Sequence, residues 1–258
     1  MELLWFLPAF TLVYISAWYL LSLRVKRWDV IDVAWGPGFI FLVWIAWFFR
    51  GMPTDGRATW LLVLITLWGI RLLYHTFRRN LNKEEDWRYH RWHQGSGWRF
   101  LLNSYLKVFL FQGALMMIIV LPAVYSLSFM SLRLYSMNIL GIALMIFGLL
   151  YETLADYQRR AFLSDPLNKD KLITYGLWRH SRHPNYFGEM LFWWGVFFLV
   201  LGAPKSWMLI VSPLTISYVL LFVSGLPMEE RYRGRKDFEE YRRRTSAIIP
   251  WFTKKART

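Results

Sequence analysis

No cysteine occurs in the 258 residues, which excludes a disulfide framework, a thiolate-ligated zinc site and thiol nucleophilic catalysis. Charge is scarce as well: 19% of residues are charged, against about 25% in soluble domains, and only 17 are acidic. Neither G-x-G-x-x-G nor G-x-x-x-x-G-K-[ST] is present, so a phosphate finds no Rossmann turn and no P-loop. The nearest glycine pair, Gly95 and Gly97, sits in a basic stretch without the strand such a loop requires. What fills the chain is apolar: 56% hydrophobic residues, 19% aromatic, 16 of them Trp, with a mean hydropathy of +0.27. That composition excludes a disordered polymer. Yet 31 Lys and Arg leave a net charge of +14, so the chain is greasy and basic at once. A soluble nucleic-acid binder accounts for the charge but not for the long apolar runs. A membrane protein accounts for both if the basic residues gather on one side.

Uncharged or nearly uncharged stretches fall at about 3–23, 33–49, 58–77, 101–121, 137–155, 186–203 and 206–228. Most approach the ~20 residues that carry a helix across a ~30 Å hydrocarbon core. Their apolar residues run around the helix instead of forming one stripe, which suits burial in lipid and bundle. The sequence therefore predicts an all-α polytopic membrane protein with seven transmembrane helices in one integral membrane domain. Alternate links and the tail hold 25 of the 31 basic residues (24–27, 78–100, 157–185 and beyond 228), whereas the opposite links hold four. By the positive-inside rule the rich side is cytoplasmic, the N-terminus faces out and the C-terminus in. The excess is sorted by membrane side and interrupted by acids, which excludes a nucleic-acid partner. The first span lacks a positive n-region and carries its charges after the apolar run, so it reads as a retained helix, not a cleaved signal. The long segments 78–100, 157–185 and 229–258 mix charge with aromatics and read as ordered cytoplasmic caps.

Ionisable groups inside spans are costly and suggest function. Asp32 opens the second span in Asp32-Val33-Ala34-Trp35-Gly36-Pro37-Gly38, either as an N-cap before a Gly/Pro kink or as a working acid. Arg71, Tyr74 and His75 share a face of the third span, where snorkelling alone accounts for Arg71. Glu152, Asp156 and Arg160 fall at i, i+4 and i+8 at the end of the fifth, an internal ion ladder or part of a site. Pro184 suits the start of a helix, and Asn185 and Glu189 then share one face. A carboxylate as deep as Glu189 needs a partner, such as a donor on a ligand. Guanidinium forks, aromatic planes and an Asn/Glu pair together suit a nucleotide cofactor gripped by side chains instead of glycine backbone. The tail from Glu229 to Tyr241 reads as part of such a grip or as an amphipathic helix on an anionic leaflet.

The run Arg182-His183-Pro184-Asn185-Tyr186-Phe187-Gly188-Glu189, with the Glu229-Glu230-Arg231-Tyr232 tail through Tyr241 to Ile248-Ile249-Pro250-Trp251-Phe252, resembles the steroid 5-alpha-reductase superfamily. More narrowly the chain is similar to its bacterial seven-span branch, a likeness that also covers Trp68 to Leu72 and Glu85 to Tyr89. Sterol C=C reductases share a segment like Trp178 to Glu189. The resemblance implies a bacterial inner-membrane reductase with NADPH in a cavity open to the cytoplasm. Its cofactor contacts would be Asp156, Gln158, Arg159, Arg160, Ile173, Trp178, Arg182, His183, Asn185, Tyr186 and Glu189. Glu229, Glu230, Arg231, Tyr232 and Tyr241 would attend the adenosine and phosphates. Residues 1–121 become the substrate half and 137–258 the cofactor half. The Gln-Glu and His-Tyr pairs by which steroid reductases hold a 3-keto group are missing, and Arg71-Leu72 stands where His-Tyr belongs.

Within that frame the expected chemistry is reduction of a C=C bond in a lipophilic substrate entering from the bilayer, with Tyr74 or a protonated Asp32 as donor to a developing enolate and Glu189 holding the nicotinamide end. No metal is expected. Isoprenylcysteine carboxyl methyltransferases share an Arg-His-Pro-x-Tyr segment and a Glu-Glu tail, so S-adenosylmethionine-dependent methyl transfer is the alternative. A methyl donor needs no phosphate grip, and Arg159 with Arg160 favours the reductase. A transporter would line a through-path with charge, whereas here the charge crowds to one side.

Overall fold

A computed structural model describes residues 2–52, 54–81, 97–127 and 136–253. Among the described residues the longer helices are α1 (Glu2–Val25), α2 (Ile31–Phe49), α3 (Gly56–Leu81), α4 (Trp98–Ser126), α5 (Ser136–Ser164), α6 (Pro184–Val200), α7 (Ser206–Tyr232) and α8 (Lys236–Arg244). Among the described residues no strand forms, and β-pairing is confined to isolated bridges at Ser181 with Ser246 and Leu201 with Ala203. The all-helical expectation holds. Six helices, α1 to α5 and α7, are long and apolar enough to cross a membrane. The stretch expected at 186–203 is α6, only 17 residues long.

Two helices depart from their expected ends. The fifth runs on to Ser164, well past the apolar stretch that ends near 155, and carries Glu152, Asp156 and Arg160 at the helical spacing expected of them. Long unbranched and charged side chains there have good helix propensity, and leaving the apolar run does not end a helix. The other is α7, a composite that opens in a 3-10 turn, passes through Val211–Tyr218, widens into a π segment at Val219–Gly225 and tightens again to Tyr232. A second π segment, Tyr105–Leu110, interrupts α4. The segment 82–96, with its Glu85 to Tyr89 run, lies outside the described residues.

The chain divides into two compact units. The first comprises Met1–Asn138 with Val200–Ser212. Its tightest crossing is α2 on α3, where Gly36 has no room for a Cβ against the Gly69 carbonyl and Gly69 meets Ile40. Gly36 thus serves helix contact, and α2 continues through Pro37 without breaking. Tyr14 of α1 donates to the Ala34 carbonyl of α2 at 2.7 Å, one turn ahead of that proline. Around it Ile15, Trp28, Ile31, Ala34, Val108 and Phe109 form a buried core, rimmed by Tyr19, Phe100 and Tyr105.

The second unit comprises Ile139–Leu199 with Pro213–Thr258. Here α5 meets α6 backbone to backbone. A Cβ on Gly148 would lie 2.5 Å from the Gly188 oxygen, and one on Gly195 would lie 2.6 Å from the Gly141 oxygen. Each helix carries its two glycines seven residues apart, two turns along one face, so both contacts form together. Small residues permitting such approach are the usual glue of helices in lipid, where no hydrophobic force joins them. Gly225, at the end of the π segment, likewise leaves space for the Tyr186 ring.

Candidate functional site

In the second unit the polar residues gather at the head of α6. Pro184 starts that helix, and Asn185, Tyr186 and Glu189 occupy its first two turns. Arg182, just ahead, closes a two-pronged pair on Glu229: Nε donates to Oε1 at 2.8 Å and Nη2 to Oε2 at 3.2 Å. His183 Nε2 donates to the same Oε1 at 2.8 Å. The imidazole also lies flat on the Tyr186 ring, centroids 5.3 Å apart and 5° from parallel. One carboxylate from the end of α7 is therefore grasped by two donors from the entry to α6. Side-chain exposures of 10% and 13% for Arg182 and Glu229 place the pair in a poorly solvated setting, where such a bond is strong.

A second group forms on the helical extension of α5. Glu152 and Asp156 are both buried there, one turn apart. Gly188 packs directly on Glu152, where a Cβ would lie 2.6 Å from its backbone nitrogen. Trp178, itself buried, donates its indole N–H to the Ala155 carbonyl at 3.0 Å, and the Arg159 guanidinium sits 6.0 Å over the same ring. Gln158 Oε1 accepts the Leu177 amide at 2.9 Å, at a turn where Gly176 takes φ +59°. A side chain at 176 would strike that Gln158 oxygen, so the turn needs glycine for both conformation and space. Ile173 is buried beside these groups in sequence, and Arg160 is exposed.

The tail completes the cluster. In α8 Tyr241 turns inward and donates to the Trp178 carbonyl, and burial pushes its phenol well above the ordinary range. Beyond it Thr245 to Trp251 lies against residues 179–183. The Arg182 amide donates to Ser246 O at 2.9 Å, the Trp251 amide to His180 O at 3.1 Å, and Arg182 Nη1 to Thr245 O at 2.8 Å. Tyr232 packs its ring on Phe238 and carries the Arg231 and Arg235 guanidinium groups over its face at 4.6 and 5.4 Å. Glu230 and Arg231 are exposed.

Of the residues expected to hold a cofactor, the fold thus brings Arg182, His183, Tyr186 and Glu229 into one connected network and Gln158, Arg159, Trp178 and Tyr241 into another. Glu230, Arg231 and Arg160 join neither in the bonds described. One atom stands out. The Oδ1 of Asn185 is buried and accepts no hydrogen bond among the described residues. A buried carbonyl oxygen without a donor costs roughly 1–3 kcal/mol, so it marks a place where a donor belongs.

The two residues expected to supply a proton lie in the first unit. Asp32 is neither an N-cap nor a lone acid. Val30 holds the cap position of α2, and the Asp32 carboxylate pairs with Arg79 Nη2 at 2.7 Å. Beside it Asp29, buried and unremarked in the sequence, takes both prongs of Arg27 at 3.0 and 2.8 Å, while Asn80 ties the end of α3 to the Asp29 carbonyl. This is a structural knot of charge joining the α1–α2 link to α3. Tyr74 is half exposed and accepts a bond from Arg78 at 2.8 Å.

Sequence reasoning also passed over Ser181, fully buried and bonded on two sides, and the tail backbone that meets it. A serine two residues ahead of a His-Pro helix start is a turn signal that identifies it.

Helices of this length and a polar cluster at their ends define an integral membrane protein of the all-helical class. Within that class the chain belongs to the family described as protein of unknown function (DUF1295), matched over residues 18–245, a family in the steroid 5-alpha-reductase-like group. An uncharacterized protein of Schizosaccharomyces pombe is similar, 26% identical over 216 residues that cover 74% of this chain. The match spans 60% of that yeast protein's own length. No solved structure matches the chain.

Proposed function

We propose that the protein is an NADPH-dependent membrane reductase acting on a C=C bond of a lipophilic substrate. The observation that carries this reading is the buried, donor-less oxygen of Asn185 in the first turn of α6. A carboxamide or amino N–H of a dinucleotide is the kind of donor that oxygen lacks. Glu189, one turn further along α6, is the acid assigned to the nicotinamide end. Arg159, stacked on Trp178, is the cation assigned to phosphate, and Trp178 offers the aromatic plane. When bound, a reduced nicotinamide supplies the hydride for a polarised double bond. The chain's own part is to hold that group in a site closed to water, at near-attack distance of the substrate.

Asp32 is engaged by Arg79 at 2.7 Å, which favours Tyr74 over it as the proton donor. Tyr74 is retained for that role. In this reading α6 makes the seventh span, the basic links face the cytoplasm, and the N-terminus lies outside, in a bacterial inner membrane.

The test is thermal stability of detergent-solubilised protein titrated with NADPH and, separately, with S-adenosylmethionine. A rise in Tm with NADPH alone, lost in Asn185→Ala, supports the reading. Stabilisation by the methyl donor alone assigns the site to methyl transfer and refutes it.

A further inference from the structure

Ser181 has no exposed surface, yet it belongs to no helix and is not itself among the residues assigned above to the cofactor. Its hydroxyl donates to the Ile248 carbonyl at 2.6 Å and accepts the His183 amide at 3.1 Å. The His183 amide is the last N–H before Pro184, which has none to offer, so this bond sits at the lip of α6. Its other partner is the tail. There the backbone is fixed by the bridge of Ser181 to Ser246 and by the Trp251 amide on His180 O. One oxygen therefore couples a segment more than sixty residues away to the first turn of the helix that carries Asn185 and Glu189.

We propose that Ser181 is a positioning residue: its hydroxyl transmits the seat of the tail to the start of α6 and so fixes the angle at which Asn185 and Glu189 face their ligand. The proposal rests on the cofactor reading above for the identity of that ligand. A hydrogen bond with both partners buried has no water to replace it, so its loss is felt as tilt and fluctuation of the helix start. The orphan oxygen of Asn185 lies two residues past the amide that Ser181 holds, within the same turn. A small change of pitch there moves it directly.

Ser181→Ala removes both bonds and leaves the fold's apolar contacts unchanged. Thr245→Val is the matched control: it deletes another bond between tail and turn, Thr245 Oγ1 to the Arg179 carbonyl at 3.3 Å, without touching the lip of α6. Two measurements are made on the full-length protein in detergent. In NADPH titration, Ser181→Ala binds about tenfold more weakly than the parent and Thr245→Val within about twofold of it. In amide hydrogen exchange without ligand, Ser181→Ala speeds exchange over residues 183–189 and Thr245→Val does not. Should Ser181→Ala fail to fold, Ser181→Cys keeps the volume with a weak donor and acceptor and stands in for it. Equal exchange in Ser181→Ala and parent overturns the proposal, and so do equal losses of affinity in both variants. If the parent itself binds no NADPH, the cofactor reading fails, and the exchange experiment alone decides the role of Ser181.

Discussion

Replacing Arg182 with alanine tests how the site is held. Four bonds leave its guanidinium: two to Glu229 at 2.8 and 3.2 Å, one to Thr245 O at 2.8 Å and a longer one to Arg242 O at 3.4 Å. The truncation strands a carboxylate whose side chain is 13% exposed, with His183 as its remaining partner in the network, and uncovers a tail carbonyl. Breaking a fully buried pair from one side costs about 3–5 kcal/mol, and this pair keeps slight access to solvent. About 3 kcal/mol is the expected loss. Arg182→Lys keeps the charge but not the fork, and about half that loss follows. In the double variant Arg182→Ala/Glu229→Ala no carboxylate is stranded, so the loss falls short of the sum of the two single losses by about 2 kcal/mol. Unfolding of purified protein in mixed micelles, titrated with denaturing detergent, reads all four values. A loss under about 0.5 kcal/mol for Arg182→Ala, or additivity in the double variant, refutes the claim that this pair fastens α7 to the entry of α6.

Gly148→Ala sets a methyl 2.5 Å from the Gly188 oxygen and 2.7 Å from the Phe192 nitrogen, and backbone cannot swing aside as a side chain does. It lowers stability by at least about 1–3 kcal/mol in the same micelle assay, and a neutral result denies the close crossing. Trp178→Phe shrinks a buried ring and removes its bond to the Ala155 carbonyl, lowering stability by about 1–2 kcal/mol. Tyr241→Phe removes a donor to the Trp178 carbonyl, and its effect depends on pH. Burial raises the folded-state pKa of this phenol above its usual 10.0, so the bond's contribution is fully present below about pH 10 and fades as pH rises beyond it. Parent and Tyr241→Phe are therefore separated by a constant Tm gap from pH 6 to 9 that narrows above 10. A gap that closes below pH 9 contradicts the burial of the hydroxyl.

Apolar runs made the helices legible because length and hydropathy are summed over many residues, and no single partner decides them. The spacing of Glu152, Asp156 and Arg160 carried α5 past its apolar run, but its end at Ser164 was not legible, since the lipid boundary, not the helix end, is what a hydropathy drop marks. Motif spacing singled out Arg182, His183 and Glu229, which the fold joins to one another, because their chemistry demands partners. It misjudged Asp32, because an ion pair with Arg79, 47 residues on, leaves no trace in local pattern. Asp29 escaped notice for the same reason. The glycines at 141, 148, 188 and 195 carried a seven-residue signal in each helix, but only their pairing across the crossing gives it meaning. Ser181 lay in plain view inside the motif, and its importance comes from a backbone carbonyl that no side-chain pattern encodes.

The seating of Thr245 to Trp251 against residues 179–183 has a consequence for how the protein is made. Synthesis runs from the N-terminus, and parts of a chain fold as they emerge. Among the described residues, all six helices long enough to cross a membrane are complete before residues 245–253 leave the ribosome. A chain stopped short at residue 244 would thus carry every helix and still lack the strip of backbone that steadies the head of α6. Quality control that senses only insertion would pass such a product, and its defect would surface as a loosened head of α6.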